Sequence, residues 1–200
     1  DATHPRPDRL AYVLDVDSGQ ARWVSPDRQL DDWTRQFFPA NAAPGDYSSL
    51  LGTTRAYTNP APVVALAPPE VAVEHDAISD AGRQLELRLS SPRGVTEMTT
   101  VVRAPGEIVA AAVDGRPLDL SAYPDARRGE LRLIYADVQP AGWRLELSVR
   151  ASAPIRIDLE EATDGLPAVS GMTIAPRPAD TMPAFDYPRD PTIVTRSLSF

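Results

Sequence analysis

The residue types that most often carry catalysis are scarce in this sequence or poorly spaced for it. There are two histidines, His4 and His75, far apart in the chain and with no HxxxH or HxD pattern; cysteine is absent. Hydrolytic zinc sites draw on several His and carboxylate ligands, each imidazole oriented by a further partner. The expectation is therefore no metal or other cofactor in this chain, while disulfides and thiolate chemistry are excluded. A Ser–His–Asp triad would have to use one of the same two imidazoles. The closest string to a nucleophile elbow, Val169-Ser170-Gly171-Met172, lacks the leading glycine. Carboxylates are plentiful, but Glu86, Glu146 and the Glu160-Glu161 pair read as wet faces or ends of strands, and Asp31-Asp32 as the start of a helix. A glycosidase-like pair would depend on separation in space. Asp15-Val16-Asp17-Ser18-Gly19 resembles the opening of a calcium loop, yet Gln20-Ala21-Arg22-Trp23 returns at once to a strand and no closing Glu follows. A tight turn with Gly19 in the left-handed region is the simpler reading. The aromatic residues remain. Trp23, Trp33, Trp143 and Tyr135 are the candidate recognition surface, because ring faces stack on sugars; a strand Trp serves equally well as core.

The elements that must position these residues are β-strands. Twenty-one prolines and eleven glycines punctuate short alternating runs. RQLELRLS at Arg83–Ser90 puts Leu85, Leu87 and Leu89 on one face. Arg144–Arg150, Ile155–Leu159 and Leu131–Tyr135 repeat that period of two, which gives one buried and one wet face per strand. Thr96–Val102, Ile108–Val113, Val71–Glu74 and Thr192–Phe200 read as further strands, and Asp114-Gly115 as a two-residue hairpin turn. At the N-terminal end, Leu10–Val16 and Ala21–Ser25 form a hairpin, followed by one short helix over Leu30–Phe38, capped by Asp31 or Asp32 and stopped by Pro39. Two Pro-rich stretches, Pro39 to Pro69 and Pro167 to Pro191, are expected to run over the surface as extended coil. The predicted fold is all-β: an antiparallel β-sandwich in a single domain, residues 1–200, with the hairpin and helix of 10–38 attached to a main sandwich of 70–200.

Composition narrows the function classes. The chain has 200 residues, 42% of them hydrophobic and 24% charged, with a formal net charge of -8. That charge argues against a nucleic-acid partner, whose phosphates call for clustered positive charge. No apolar run is long enough to span a bilayer, so direct membrane insertion is not expected. All twenty basic residues are Arg, as a GC-rich coding genome would produce. The start at Asp1 suggests a piece of something longer.

Short strings along most of the chain resemble one known family. They are Leu10-Ala-Tyr-Val-Leu-Asp-Val-Asp-Ser-Gly-Gln-Ala-Arg-Trp23, Ser25-Pro-Asp27, Asp32-Trp33-Thr34, Gln36-Phe37, Ser91-Pro-Arg-Gly94, Ala112-Val-Asp-Gly115, Gly142-Trp143 and Asp164-Gly-Leu-Pro167. Arg177-Pro-Ala-Asp-Thr-Met-Pro183 and Thr192-Ile-Val-Thr-Arg-Ser-Leu-Ser-Phe200 complete the set. Together they resemble the C-terminal region of bacterial membrane-anchored zinc exopeptidases of the aminopeptidase Y family, whose eukaryotic relatives include vacuolar membrane protease and the endoplasmic reticulum metallopeptidase. Asp164 departs from the pattern, which has Tyr there. The resemblance implies a soluble, periplasm-facing β-rich domain that follows a peptidase domain and a block of transmembrane helices. Two zinc ions would belong to the parent peptidase domain. None of its catalytic motifs is present here, so this chain is read as a non-catalytic accessory domain. Its partners would be the peptidase and transmembrane regions of the same polypeptide, and a peptide substrate. The alternative is a stand-alone carbohydrate- or peptide-binding module; a third reading is an enzyme acting through two carboxylates in a cleft.

Overall fold

The computed structural model describes residues 4–184 and 189–200. Tyr187, one of the six tyrosines, and part of the second Pro-rich stretch lie outside them. The chain is all-β, 52% strand and 6% helix, with several antiparallel sheets and a sandwich-like arrangement. Five strands open it: β1 (Arg6–Asp8), β2 (Ala11–Asp15), β3 (Gln20–Ser25), β4 (Gly45–Ser49) and β5 (Gly52–Ala61). Eight follow: β6 (Glu70–Ser79), β7 (Gly82–Ser90), β8 (Val95–Arg103), β9 (Ile108–Val113), β10 (Arg116–Pro117), β11 (Glu130–Val138), β12 (Trp143–Val149) and β13 (Arg156–Thr163). The chain closes with β14 (Thr181–Pro183) and β15 (Thr192–Ser199).

Where the sequence reads as one domain with an attachment, the chain divides into two compact units. The first comprises Asp1–Leu66 and Ala162–Val194, the second Ala67–Glu161 and Thr195–Phe200. The reason lies in the Pro-rich stretches. Their described residues supply strands β4, β5 and β14 and apolar side chains such as Val169, which give the hairpin a core of its own.

The second unit is the sandwich. One sheet has the order β10-β9-β12-β7-β6, and strands β11, β8, β13 and β15 lie side by side in the other. The alternation seen in sequence is the reason: Leu85, Leu87 and Leu89 of β7 and Leu145, Leu147 and Val149 of β12 enter the same core as Met98, Val102, Leu131, Ile155, Ile157 and Leu159. Tight strand packing at Gly142, which has φ of +71°, leaves no room for a side chain, since a Cβ there would lie 2.1 Å from the Leu89 carbonyl oxygen. The Asp114-Gly115 turn joins β9 to β10 with both residues at positive φ, 50° and 75°, as a two-residue hairpin turn of the primed type requires. On the outer face Glu86 stands opposite Glu146, and Arg88 opposite Arg144. Glu74 reconciles the two arginines, accepting from both at 2.6 Å, and these bonds hold its carboxyl below the ordinary carboxylate range. Leu87 and Leu147 are 0% and 3% exposed. Leu87→Ala or Leu147→Ala is expected to cost about 2–5 kcal/mol in urea denaturation. Glu86→Ala or Glu146→Ala should cost under about 0.5 kcal/mol, because each removes one member of a like-charged cross-strand pair. Equal shifts for the two kinds of variant would contradict the register.

One strand departs from the alternation. In β13 the whole run from Ile157 to Ala162 is buried, including Asp158, Glu160 and Glu161. The expectation that Glu160-Glu161 ends a strand is corrected in detail: β13 runs on to Thr163 with both acids buried inside it, it lies between β8 and β15, and arginine side chains reach two of its carboxylates. Arg103 and Arg156 reach the Asp158 carboxylate, while Arg93 holds Glu161.

The first unit is built on β2 and β3, which pair from Ala11↔Val24 to Asp15↔Gln20, with β5 against β3 and β4 against β5. Its core gathers Leu10, Tyr12, Leu14, Trp23, Trp33, Phe37, Val169 and Val194. The expected helix over Leu30–Phe38 is a single 3-10 turn, Thr34–Phe37. The residue at its N-cap is Trp33, with no side-chain cap bond; Asp31 acts one step earlier, its carboxylate accepting from the Thr34 N–H at 2.7 Å and from the Thr34 hydroxyl at 2.8 Å. The turn ends where Phe38 becomes extended, one residue before Pro39, which disfavours a helical conformation in the residue preceding it.

Candidate functional site

The four candidate recognition residues do not form one surface. Trp23 and Trp33 belong to the first unit, Tyr135 and Trp143 to the second. Trp23, Trp33 and Trp143 are 2%, 7% and 1% exposed. Trp23 packs edge-on against Tyr12, with ring centroids 5.3 Å apart, and tilts against Phe37 at 4.7 Å. Burial of this kind yields more stabilisation than an exposed ring, which is why the period-two pattern of β3 and β12 draws both tryptophans inward. None of the three offers a free ring face.

Tyr135 differs. It is half-buried on β11 and lies flat against Trp143, with centroids 5.0 Å apart and planes within 3°. Its hydroxyl donates to Asp114 Oδ2 at 3.1 Å, while Asp114 Oδ1 accepts from the Arg144 N–H at 2.8 Å. Burial, then the Asp114 carboxylate beside it, makes the phenol harder to ionise than a free tyrosine. Val113, Asp114, Arg116, Pro117, Leu118 and Tyr135 line a recess of about 400 Å³. It combines an aromatic side chain, apolar walls, one carboxylate and one guanidinium, the mixture that small-ligand sites use. Of the four candidate recognition residues, Tyr135 borders this recess beside polar groups.

The other candidates resolve into structural roles. Asp15 spends its carboxylate on its own turn, accepting from the Asp17 N–H at 3.0 Å and from the Ser18 hydroxyl at 2.7 Å, and Gly19 follows with φ of +65°. His4 and His75 fall in separate units, and among the described residues no three His, Asp or Glu side chains converge on a metal-sized site. Asp125 and Glu130 both border a small recess of about 210 Å³, but each is held by arginine: Asp125 by Arg128, Glu130 by Arg103 and Arg132.

Sequence reasoning missed the buried group of Asp8, Arg177 and Asp190. Arg177 donates to Asp8 and to Asp190, the second at 2.5 Å. It also lies over the Trp33 ring, 3.8 Å from its centroid. No local pattern brings Asp8 and Arg177 together across most of the chain's length; the parallel pairing of β1 with β14 helps to do so, as do the bonds that hold Ala175 to Trp33 and Gln36.

The chain matches no family model, no curated protein and no solved structure.

Proposed function

We propose that this chain is a non-catalytic accessory domain: the periplasm-facing C-terminal part of a multi-pass membrane zinc metallopeptidase, acting by packing, substrate recognition or assembly. The observation that carries the reading is what the residues of the resembling strings do. Trp23, Trp33 and Phe37 fill a core, Asp114-Gly115 makes a turn, Gly142 permits close strand approach and Arg177 ties two segments together. A pattern made of packing and turn residues supports a domain whose service is its shape. The buried acids point the same way, since Asp8, Asp158 and Glu161 are each engaged by arginine rather than held in a cleft.

In the test, the isolated chain is dialysed and assayed for zinc and for peptidase activity. The expected result is neither, with zinc and activity retained by the membrane-anchored remainder of the parent. Stoichiometric zinc in the isolated chain, with peptidase activity abolished by chelators, would overturn the reading. An upstream reading frame without a zinc peptidase and several apolar twenty-residue segments would do so as well.

The recess at Tyr135 supports a second reading, a carbohydrate- or peptide-binding module. Tyr135→Ala should then weaken ligand retention on glycan or peptide arrays by about tenfold or more, as the loss of one well-packed aromatic contact would. Arrays on which the unaltered chain retains nothing would remove this alternative.

A further inference from the structure

Residues 169–183 follow a Pro-rich course, yet within the first unit they are pinned at three places. The Trp33 indole N–H donates to the Ala175 carbonyl at 2.7 Å, and the Ala175 N–H donates to Gln36 Oε1 at 2.9 Å, so one residue is gripped from both sides. Thr181–Pro183 pairs in parallel with Arg6–Asp8, and the Ala184 N–H donates to the Asp8 carbonyl. Between these anchors sits Arg177, its two terminal nitrogens on Asp8 and Asp190.

This group is buried and its charges do not balance. The side chain of Asp8 is 3% exposed, and those of Arg177 and Asp190 are each 14% exposed. Two carboxylates share one guanidinium, leaving one net negative charge when both are ionised. Asp8 Oδ1 is buried with no hydrogen-bond partner among the described residues. A single bound proton makes the group neutral, and an uncompensated buried charge costs far more than a neutral, hydrogen-bonded cluster.

We propose that Asp8, Arg177 and Asp190 form a pH-responsive clasp: holding one proton, it keeps residues 172–183 seated on the hairpin, and losing that proton loosens them. The surrounding charges agree. Burial raises the Asp8 carboxyl to about 7 against the pull of Arg177, and Asp31 and Asp27 add negative charge nearby. Asp27 is itself accompanied by Arg9, 4.0 Å away. Asp31 is occupied by Thr34. Arg6 and Asp180 pair on the exposed side. Burial also raises Asp190, with Arg177 opposing. A folded-state value above the unfolded one means that the folded state binds more protons in between. The stabilisation is therefore complete in acid, below the ordinary carboxylate range, and is lost as pH rises through about 7.

The chain has no cysteine, so a single thiol introduced by Ala184→Cys, at a position 7% exposed, reports opening beside Asp8. Its labelling rate is divided at each pH by that of an unstructured thiol peptide. The expected ratio rises about tenfold or more between about pH 5.5 and 8.5, since each unit of pKa difference is a factor of about ten. Adding Asp8→Asn should hold the ratio at its low acid value throughout. Adding Asp190→Asn should flatten it too, because Asp8 and Arg177 then compensate each other; this variant carries the test if Asp8→Asn does not fold. A flat ratio in the unaltered cluster, or a slope that survives both substitutions, would overturn the proposal.

Discussion

Arg93→Ala is expected to lower stability at pH 8 by about 3–5 kcal/mol, among the largest single-residue losses available in this chain. Glu161 lies in β13 with its side chain fully buried, and Arg93 is 14% exposed beside it. Arg93 Nε and Nη2 both donate to Glu161 Oε1, at 2.9 and 2.7 Å. Burial lifts the Glu161 carboxyl above the usual range, while hydrogen bonds and the Arg93 charge pull it back. Removing the guanidinium leaves an acid that must be buried charged or take up a proton. A raised folded value contributes stability in acid that disappears as pH rises, so the deficit of Arg93→Ala should be larger at pH 8 than at pH 5. Pairing Arg93→Met with Glu161→Leu should recover most of the loss, since the desolvation cost of both ions is then absent. Urea midpoints at the two pH values read all three outcomes. An Arg93→Ala midpoint equal to the parent's at pH 8 would mean that the pair holds nothing together.

Deleting Arg196–Phe200 should lower stability by several kcal/mol or abolish soluble expression. The tail is woven into the second unit by backbone and side chains alike. Phe200 and Ile155 exchange N–H to carbonyl bonds at 3.1 and 3.0 Å. The Phe200 carbonyl also accepts from Arg83 Nη1 at 2.8 Å, and Arg83, 5% exposed, is otherwise committed to Asp76 through two bonds of 2.8 and 2.7 Å. Arg196, which stands on the apolar face of an alternating strand, donates to the Pro69 carbonyl at 2.9 Å, as a long side chain reaching past its neighbours does. The Ser197 hydroxyl donates to Asp158 at 2.6 Å. The deletion therefore leaves a buried guanidinium short of an acceptor and uncovers Ile155 as well as removing apolar area. Thermal melting of the truncated chain is the measurement. An unchanged melting temperature would show the tail to be a passive end.

Most of the sandwich was legible because period-two alternation is a local property: whichever sheet Leu85, Leu87 and Leu89 join, water drives the same face inward. The Asp114-Gly115 and Asp15–Gly19 turns were legible for a similar reason, since their residue types alone favour the backbone angles they adopt. The Leu30–Phe38 pattern predicts a helix where the chain makes a 3-10 turn over Thr34–Phe37. Its aromatic spacing was right for burial, but a segment this short gains little from helical hydrogen bonding, and packing around Trp33 and Phe37 settles for one 3-10 turn.

What residue order by itself determined, then, is the β class, the faces of the strands, the turns and the lack of any local catalytic motif. Tertiary structure alone decided which polar residues go inside. Glu161 looks like a surface acid until β13 is enclosed and Arg93 closes over it. Trp33 looks like a recognition residue until Arg177 lies across it. Asp8 and Asp190 come to share Arg177 through distant returns of the chain: Thr181–Pro183 pairs with Arg6–Asp8, and the Tyr12 N–H donates to the Pro191 carbonyl. Solvation makes the difference: an alternating apolar face reports its own burial, whereas a carboxylate is buried only where a distant arginine offsets the loss of water, and that partner is named by the fold.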